Sequence, residues 1–359
     1  MKLVLAVLLM FTISFAQEET SLEETLNNLS ASGAKNYLSP IASAFGANLN
    51  AGWFHKAPQP KVFGFNLEFG LVVMGSQFAN GTKHFKTDGQ FNFSQDQARS
   101  ILESNLAEWN SLPASVQNDF LELMASQSFA VEMEGATIIG KKDDYITVRF
   151  PGQTITEPNS GREITVDDQE VVLPVGGFKE LADVSLFPMF APQLTLGTIY
   201  GTQATFRYLP QVELEQGMGK FKYFGFGLQH NPAAWLPVPL PLDVSASFFT
   251  QSLKIGDLFE TSTAAFGLNA SKQFGLNVIN ITPYAGFMIE SSTMHVQYDY
   301  IVQAPSGEIA QKIDFEIDGE NTTRFTVGLS IRLLIININA DYNIGQYNSV
   351  SAGVNIAIN

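Results

Sequence analysis

The chain has 359 residues, with 20 Lys and Arg against 35 Asp and Glu, a formal charge of −15, and no cysteine. That acidic balance argues against a nucleic-acid partner, which selects for a basic face. The lack of Cys excludes disulfide staples, thiolate zinc sites, cysteine nucleophiles and an N-terminal lipid anchor. Charged residues make up only 15% of the chain, below the roughly 25% usual for soluble domains, while Phe alone contributes 29 residues, so charge is avoided over much of the surface.

The first residues read as a signal peptide: Lys2 as a positive start, Leu3 to Ile13 as the apolar stretch and Ser14-Phe15-Ala16 as the cleavage site, giving residues 1–16. That run is too short to span as a helix. Residues 17–41 follow as an N-terminal helical plug or periplasmic segment, with Leu22, Leu26 and Leu29 at helical spacing. Phe45 to Trp53 and Phe63 to Val73 then read as strands. In the second, Phe63, Phe65, Leu67, Phe69, Leu71 and Val73 share one face, and Glu68 falls on the other.

Residues 76–187 break the rhythm. Ile101, Leu102, Leu106 and Trp109 recur at helical spacing, Pro113 interrupts, and Val116, Phe120, Leu121 and Met124 resume it. A helical pair cannot lie in a strand-built membrane wall. Thr147-Val148-Arg149-Phe150 and Ile164-Thr165-Val166 suggest a small hairpin, and the whole stretch reads as one helix-plus-hairpin insertion.

From Leu194 onward strands and turns alternate: Leu194 to Gln203, Ala204 to Leu214, Phe221 to Gln229, Val244 to Leu253, Ala264 to Val278, Pro283 to Glu290, Met294 to Val302 and Ile309 to Ile317. The last thirty-five residues hold three more, in which Ile, Val and Leu face Asn, Ser, Gly and Asp with period two. Oily on one side and wet on the other is the signature of a transmembrane β-barrel. The expected fold is therefore all-β membrane: a closed antiparallel barrel over residues 42–359 with about twelve to fourteen strands, an N-terminal helix and a helical insertion.

The alternation nominates lumen-facing polar residues, Glu68, His295, Gln297, Asp299, Asn337, Asn339 and Asp341, and membrane-interface residues, Trp53, Trp235, Leu236 and Tyr342. Chemistry is harder to find. His55, His84, His230 and His295 lack a Gly-x-Ser-x-Gly elbow or a His-Glu-x-x-His helix. Asp143-Asp144 and Asp167-Asp168 lack the loop glycine and spacing of a calcium site. No catalytic, cofactor or metal residue is nominated, and the chain reads as a non-enzyme.

Gly201-Thr202-Gln203-Ala204-Thr205-Phe206-Arg207-Tyr208-Leu209-Pro210, Phe224-Gly225-Phe226-Gly227-Leu228-Gln229-His230, Leu253-Lys254-Ile255-Gly256-Asp257 and Pro283-Tyr284-Ala285-Gly286 resemble an uncharacterised family of outer-membrane proteins of Bacteroidota. In architecture alone, the helix before the barrel and the internal insertion look like the long-chain fatty-acid transporter type of barrel. The first resemblance implies residence in the outer membrane of a Gram-negative bacterium, with outer-membrane lipid and the barrel assembly machinery as partners. The second implies passive uptake of small hydrophobic molecules through a partly plugged lumen. The alternative is a non-transporting structural or partner-binding barrel. The ending Ile358-Asn359 departs from the terminal aromatic common to such barrels.

Overall fold

The computed structural model describes residues 31–358 apart from 92, 94, 107, 127–128, 157–160, 162, 179–180, 182–183, 214–219, 237–239 and 305–306. Side chains at some further strand positions, 299–304 among them, also lie outside the description. The expected signal peptide and Leu22, Leu26 and Leu29 fall outside the described residues. The chain divides into two compact units.

The larger unit holds residues 39–80, 184–296 and 316–359. Its strands are β1 (Phe63–Ser76), β8 (Phe187–Ile199), β9 (Thr202–Glu213), β10 (Lys220–His230), β11 (Asp243–Ile255), β12 (Phe259–Ser271), β13 (Phe274–Gly275), β14 (Ile279–Ala304) as far as Val296, β16 (Thr323–Leu333), β17 (Ile336–Ile344) and β18 (Ser349–Ile358); the rest of β14 and most of β15 (Gly307–Asp318) fall in the smaller unit. Neighbours pair in the order β12-β11-β10-β9-β8-β1-β18-β17-β16-β14, and β12 pairs β14, which closes the ring. Every barrel pairing is antiparallel, and β1 closes on β18 from Leu67↔Ile358 to Ser76↔Ser349.

Ten strands close the barrel, fewer than the twelve to fourteen expected. Three of the strands drawn from the sequence account for the difference. Phe45 to Trp53 is not a strand. Pro283 to Glu290 and Met294 to Val302 are one continuous 26-residue strand, β14. Ile309 to Ile317 lies in β15, which pairs with β14 off the closed path.

The wall follows the alternation of its side chains. Outward Phe63, Phe65, Phe69 and Val73 on β1, Phe266 and Leu268 on β12, Phe287 and Ile289 on β14, and Val354, Ile356 and Ile358 on β18 are all exposed. A girdle of exposed Phe, Ile, Leu and Val around a closed sheet is unstable in water and suits a hydrocarbon environment. The inward faces carry Thr195, Thr205, Gln229, Ser245, Ser247 and Asn269, all buried.

Helix α1 (Ala31–Asn50) replaces the expected first strand. Five alanines, the best helix formers, and the helix-spaced Phe45 and Leu49 favour it, while its Ser and Gly residues keep it slim. From Ser39 on it is buried on nearly every side, as a helix enclosed by a sheet must be. Small residues let it fit: a Cβ on Gly46 would meet Ser292 Oγ.

The smaller unit comprises residues 1–38, 81–183 and 297–315. A four-stranded antiparallel sheet, in the order β2 (His84–Phe91), β3 (Phe129–Ala136), β4 (Ile146–Phe150) and β7 (Gln169–Leu173), packs Phe93, Phe129 and Phe150 with ring centroids 5.3–5.6 Å apart. Helices α2 (Gln95–Asn105) and α3 (Ala114–Ser126) bury Ile101, Leu102, Phe120, Leu121 and Met124. The expected hairpin of Thr147–Phe150 with Ile164–Val166 is not formed. Instead β4 lies between β3 and β7, and β5 (Gln153–Thr156) pairs β6 (Glu163–Val166) as a separate ribbon.

Candidate functional site: a stoppered lumen

After α1 the chain does not leave the barrel. Residues Ser39 to Lys61, here called the stopper, pass along the lumen from one end of the strands to the other, and the hydrogen bonds mark the path. Ser43 Oγ accepts from the Glu320 amide at 3.2 Å, Ser76 Oγ donates to the Ala44 carbonyl at 3.1 Å, and Asn48 Nδ2 donates to the Phe187 carbonyl at 2.7 Å. Ser76 ends β1 and Phe187 begins β8, and Glu320 lies just before β16 at the same end of the strands. At the opposite end, the Ala57 amide donates to Ser271 Oγ at 2.9 Å and Asn231 Nδ2 to the Pro58 carbonyl at 2.7 Å.

The middle of the stopper is its tightest part. Gly52 turns the chain out of the helix at φ +67°, a left-handed conformation that Gly adopts without strain. Trp53 then lies flat on Phe249, with centroids 5.0 Å apart and planes 16° apart, and its Nε1 donates to the Leu49 carbonyl at 3.0 Å. Two inward glycines of β10 make room for the indole: a Cβ on Gly225 would come within 2.9 Å of it, and one on Gly227 within 3.1 Å. Phe54 lies nearly parallel to Phe249, with centroids 6.2 Å apart, and meets Tyr284 edge-on. These rings, with Ala265 and Met288, form a buried apolar cluster.

Charge completes the seal. Arg207, inward on β9 and fully buried, receives no carboxylate partner among the described residues. It donates to Gln193 Oε1 at 2.9 Å and, through its other two nitrogens, to the stopper carbonyls of Leu49 at 3.4 Å and Ala51 at 2.9 Å. Its guanidinium also lies 4.1 Å above the Trp53 ring, a desolvated cation–π contact. Glu68, inward on β1, is bracketed by the stopper: His55 Nε2 lies 2.9 Å from one carboxylate oxygen and Lys56 Nζ is bonded to the other. Buried charges demand such partners, and here the stopper supplies them. Across the lumen Arg324 pairs with Glu290 at 3.0 Å and donates to Asn343 Oδ1 at 3.2 Å. Tyr284 donates its hydroxyl proton to Asp341 at 3.0 Å.

The nominated residues fall into three groups. Glu68, Asn337, Asn339 and Asp341 are inward and buried, and Trp235, Leu236 and Tyr342 are exposed. Trp235 stacks on Tyr200 at 4.9 Å and donates to His230 Nε2 at 3.1 Å. Two expectations are corrected. Trp53 is not at the membrane interface but 1% exposed inside the barrel, because its strand was in fact the stopper. His295 and Gln297 do not point inward: on β14 the even positions Ser292, Met294 and Val296 are buried and the odd ones are half-exposed, and Gln297 donates to Asp314 at 3.0 Å on the surface. The side chain of Asp299 lies outside the description. Arg207, Gly225, Gly227 and Arg324 were not nominated. The signal for the glycines was legible, since two successive inward positions without a side chain leave a socket for something large.

Closure, the inward polar face and the exposed apolar girdle define a transmembrane β-barrel with an internal stopper. The chain belongs to a family of unknown function (DUF6588), which matches residues 1–358. None of the curated proteins matches the sequence. Among solved structures it is similar to OmpTdeltaL8, an outer membrane protein of Vibrio cholerae, at 9% identity over 82% of this chain and 98% of that one, with a TM-score of 0.24. The outer membrane protease OmpT of Escherichia coli aligns at 7% identity over 84% and 100%, TM-score 0.27. A BenF-like porin of Pseudomonas fluorescens aligns at 10% identity over 86% and 99%, TM-score 0.18.

Proposed function

We propose that the protein spans the outer membrane of a Gram-negative bacterium as a stoppered channel, closed by Ser39–Lys61 and conducting small solutes when that segment leaves its seat. The observation that carries this reading is the division of labour inside the barrel. The stopper provides the oxygen and charge partners of Arg207 and Glu68, while the wall around it is already lined for water by Thr195, Thr205, Gln229, Ser245 and Asn269. Several inward polar atoms, Gln203 Oε1, Thr263 Oγ1 and Asn269 Nδ2, have no protein hydrogen-bond partner among the described residues, which suits a lumen that holds water or a polar solute. This wall favours small polar molecules over the hydrophobic ones expected from the fatty-acid transporter resemblance.

A second reading, a barrel that never conducts, is favoured by the length of the seal, which is hydrogen-bonded from Ser43 to Pro58. Planar-bilayer conductance decides between them. Arg207→Met keeps the side-chain volume but drops both carbonyl bonds, so the stopper loosens and frequent openings appear. Cross-linking Ala57→Cys to Ser271→Cys with a short bis-maleimide suppresses them, and the chain has no other thiol to interfere. A folded Arg207→Met barrel that stays as closed as the wild type sinks the channel reading in favour of the second.

A further inference from the structure

The two ends of the barrel differ. At one end β8 turns into β9 through Tyr200-Gly201 alone and β16 into β17 through Leu334-Ile335 alone, β12 reaches β14 through residues 272–278 and β10 reaches β11 through residues 231–242, β1 begins and β18 finishes, so that no connection there exceeds twelve residues. At the other end the β11–β12 and β17–β18 turns are short, but the chain leaves after Ser76 and does not return until Phe187, and β14 runs on past Val296, its last residue paired with β12, to form a hairpin with β15, so both of the longest connections lie there. In transmembrane barrels of bacteria the short turns face the periplasm and the long connections face outward.

The surface divides the same way. At the short-turn end the apolar girdle runs right through the connections: Leu276 is 71% exposed, Leu334 64%, Trp235 63% and Ile335 56%. At the other end it stops before the strands do. Outward positions change to Lys220 and Lys222 on β10, Ser252 and Lys254 on β11, Glu260 and Ser262 on β12, and Ser291, Thr293 and His295 on β14. Those strand ends therefore stand clear of the hydrocarbon, and the short turns lie flush with its boundary.

Two independent features, connection length and the offset of the apolar girdle, orient the barrel. The stopper then adds a consequence. It touches Glu320, Ser76 and Phe187 near its start and Ser271 and Asn231 near its finish, so it runs from the long-connection end to the short-turn end before β1 begins. We infer that the long-connection end is extracellular and that the stopper is threaded inward from the cell surface, with Ser39 at its outer end. This rests on the outer-membrane location proposed above. It makes the start of the stopper accessible from the outside.

The absence of cysteine makes the test clean. Three exposed positions receive single cysteines: Asp257→Cys at the long-connection end, Asn277→Cys at the short-turn end and Lys35→Cys upstream of the stopper. Each full-length variant is expressed in a Gram-negative host, checked for heat-modifiable mobility, and treated with a polyethylene-glycol maleimide too large for porin channels. Intact cells should label at residues 257 and 35 and not at 277, and permeabilising the outer membrane should add 277. Labelling of 277 in place of 257 overturns the orientation. Labelling of 257 without 35 in intact cells, with 35 labelled only after permeabilisation or unfolding, overturns the threading. Recovery of the folded protein outside the outer-membrane fraction instead defeats the location on which both depend.

Discussion

Replacing Trp53 by Ala is the sharpest single test of the stopper. The side chain is 1% exposed and holds four contacts at once: the Phe249 face at 5.0 Å, the Arg207 guanidinium at 4.1 Å, the Leu49 carbonyl at 3.0 Å and the sockets over Gly225 and Gly227. Truncating a buried Trp to Ala costs about 3–5 kcal/mol, and the lost cation–π contact is worth about 2 kcal/mol in a desolvated site. The two overlap, so about 4 kcal/mol is a fair total. That loss falls on the seated stopper, because the wall residues Phe249, Gly225 and Gly227 keep their own strand pairings. At about 1.4 kcal/mol per decade, the seated-to-released ratio falls by about a thousandfold. Planar-bilayer recordings read this as the open-time fraction, and protease cleavage within Ser39–Lys61 reads it independently. Trp109→Ala is the control, since Trp109 is equally buried but belongs to the insertion unit. A Trp53→Ala barrel that folds, yet shows an open fraction and protease resistance like those of the control, refutes the argument that this ring seats the stopper.

Gly225→Leu attacks the same contact from the wall: its Cβ would sit 2.9 Å from the indole, and overpacking of about 1–3 kcal/mol should raise the open fraction by about tenfold while thermal stability of the barrel changes little. Glu68→Gln leaves Lys56 and His55 facing a neutral group, and breaking a buried pair costs about 3–5 kcal/mol; Lys56 keeps partial solvent contact, so the lower figure applies. Urea unfolding should show the double variant Glu68→Gln, Lys56→Met to be more stable than Glu68→Gln alone, and additive losses would show that the two groups do not interact. Phe69→Lys places a cation on the lipid face at mid-strand, where Phe69 is 57% exposed. Folding titrations into lipid vesicles should show a loss of about 2–4 kcal/mol, against little change for Asp257→Lys, and equal effects would contradict the position of the apolar girdle.

How far the sequence could be read depended on what each stretch faces. The last three strands were visible because lipid on one side and a polar lumen on the other force strict alternation, and the structure finds them at Thr323–Leu333, Ile336–Ile344 and Ser349–Ile358. β14 shows where that signal fails. Its outward residues are Ile281, Phe287 and Ile289 within the apolar girdle, then Ser291, Thr293 and His295 beyond it. Once a strand clears the hydrocarbon, both faces tolerate polar side chains and the pattern loses its phase, so His295 could be assigned to either side. The stopper failed for the opposite reason. Enclosed by a wall, α1 buries Ile41, Ala42, Ala44, Phe45, Ala47 and Leu49 around most of its circumference, so no amphipathic stripe marks it as a helix, and Phe45 to Trp53 imitates a strand. What did survive in the sequence was the complement, written in the wall: Gly225 and Gly227 in β10, Gly286 in β14 and Gly328 in β16 occupy inward positions, and each abuts an aromatic ring. Inward glycines opposite Trp53 and Phe54 are evidence that the wall is shaped around an internal occupant, and they are the reason the stopper can be full-sized in a barrel of only ten strands.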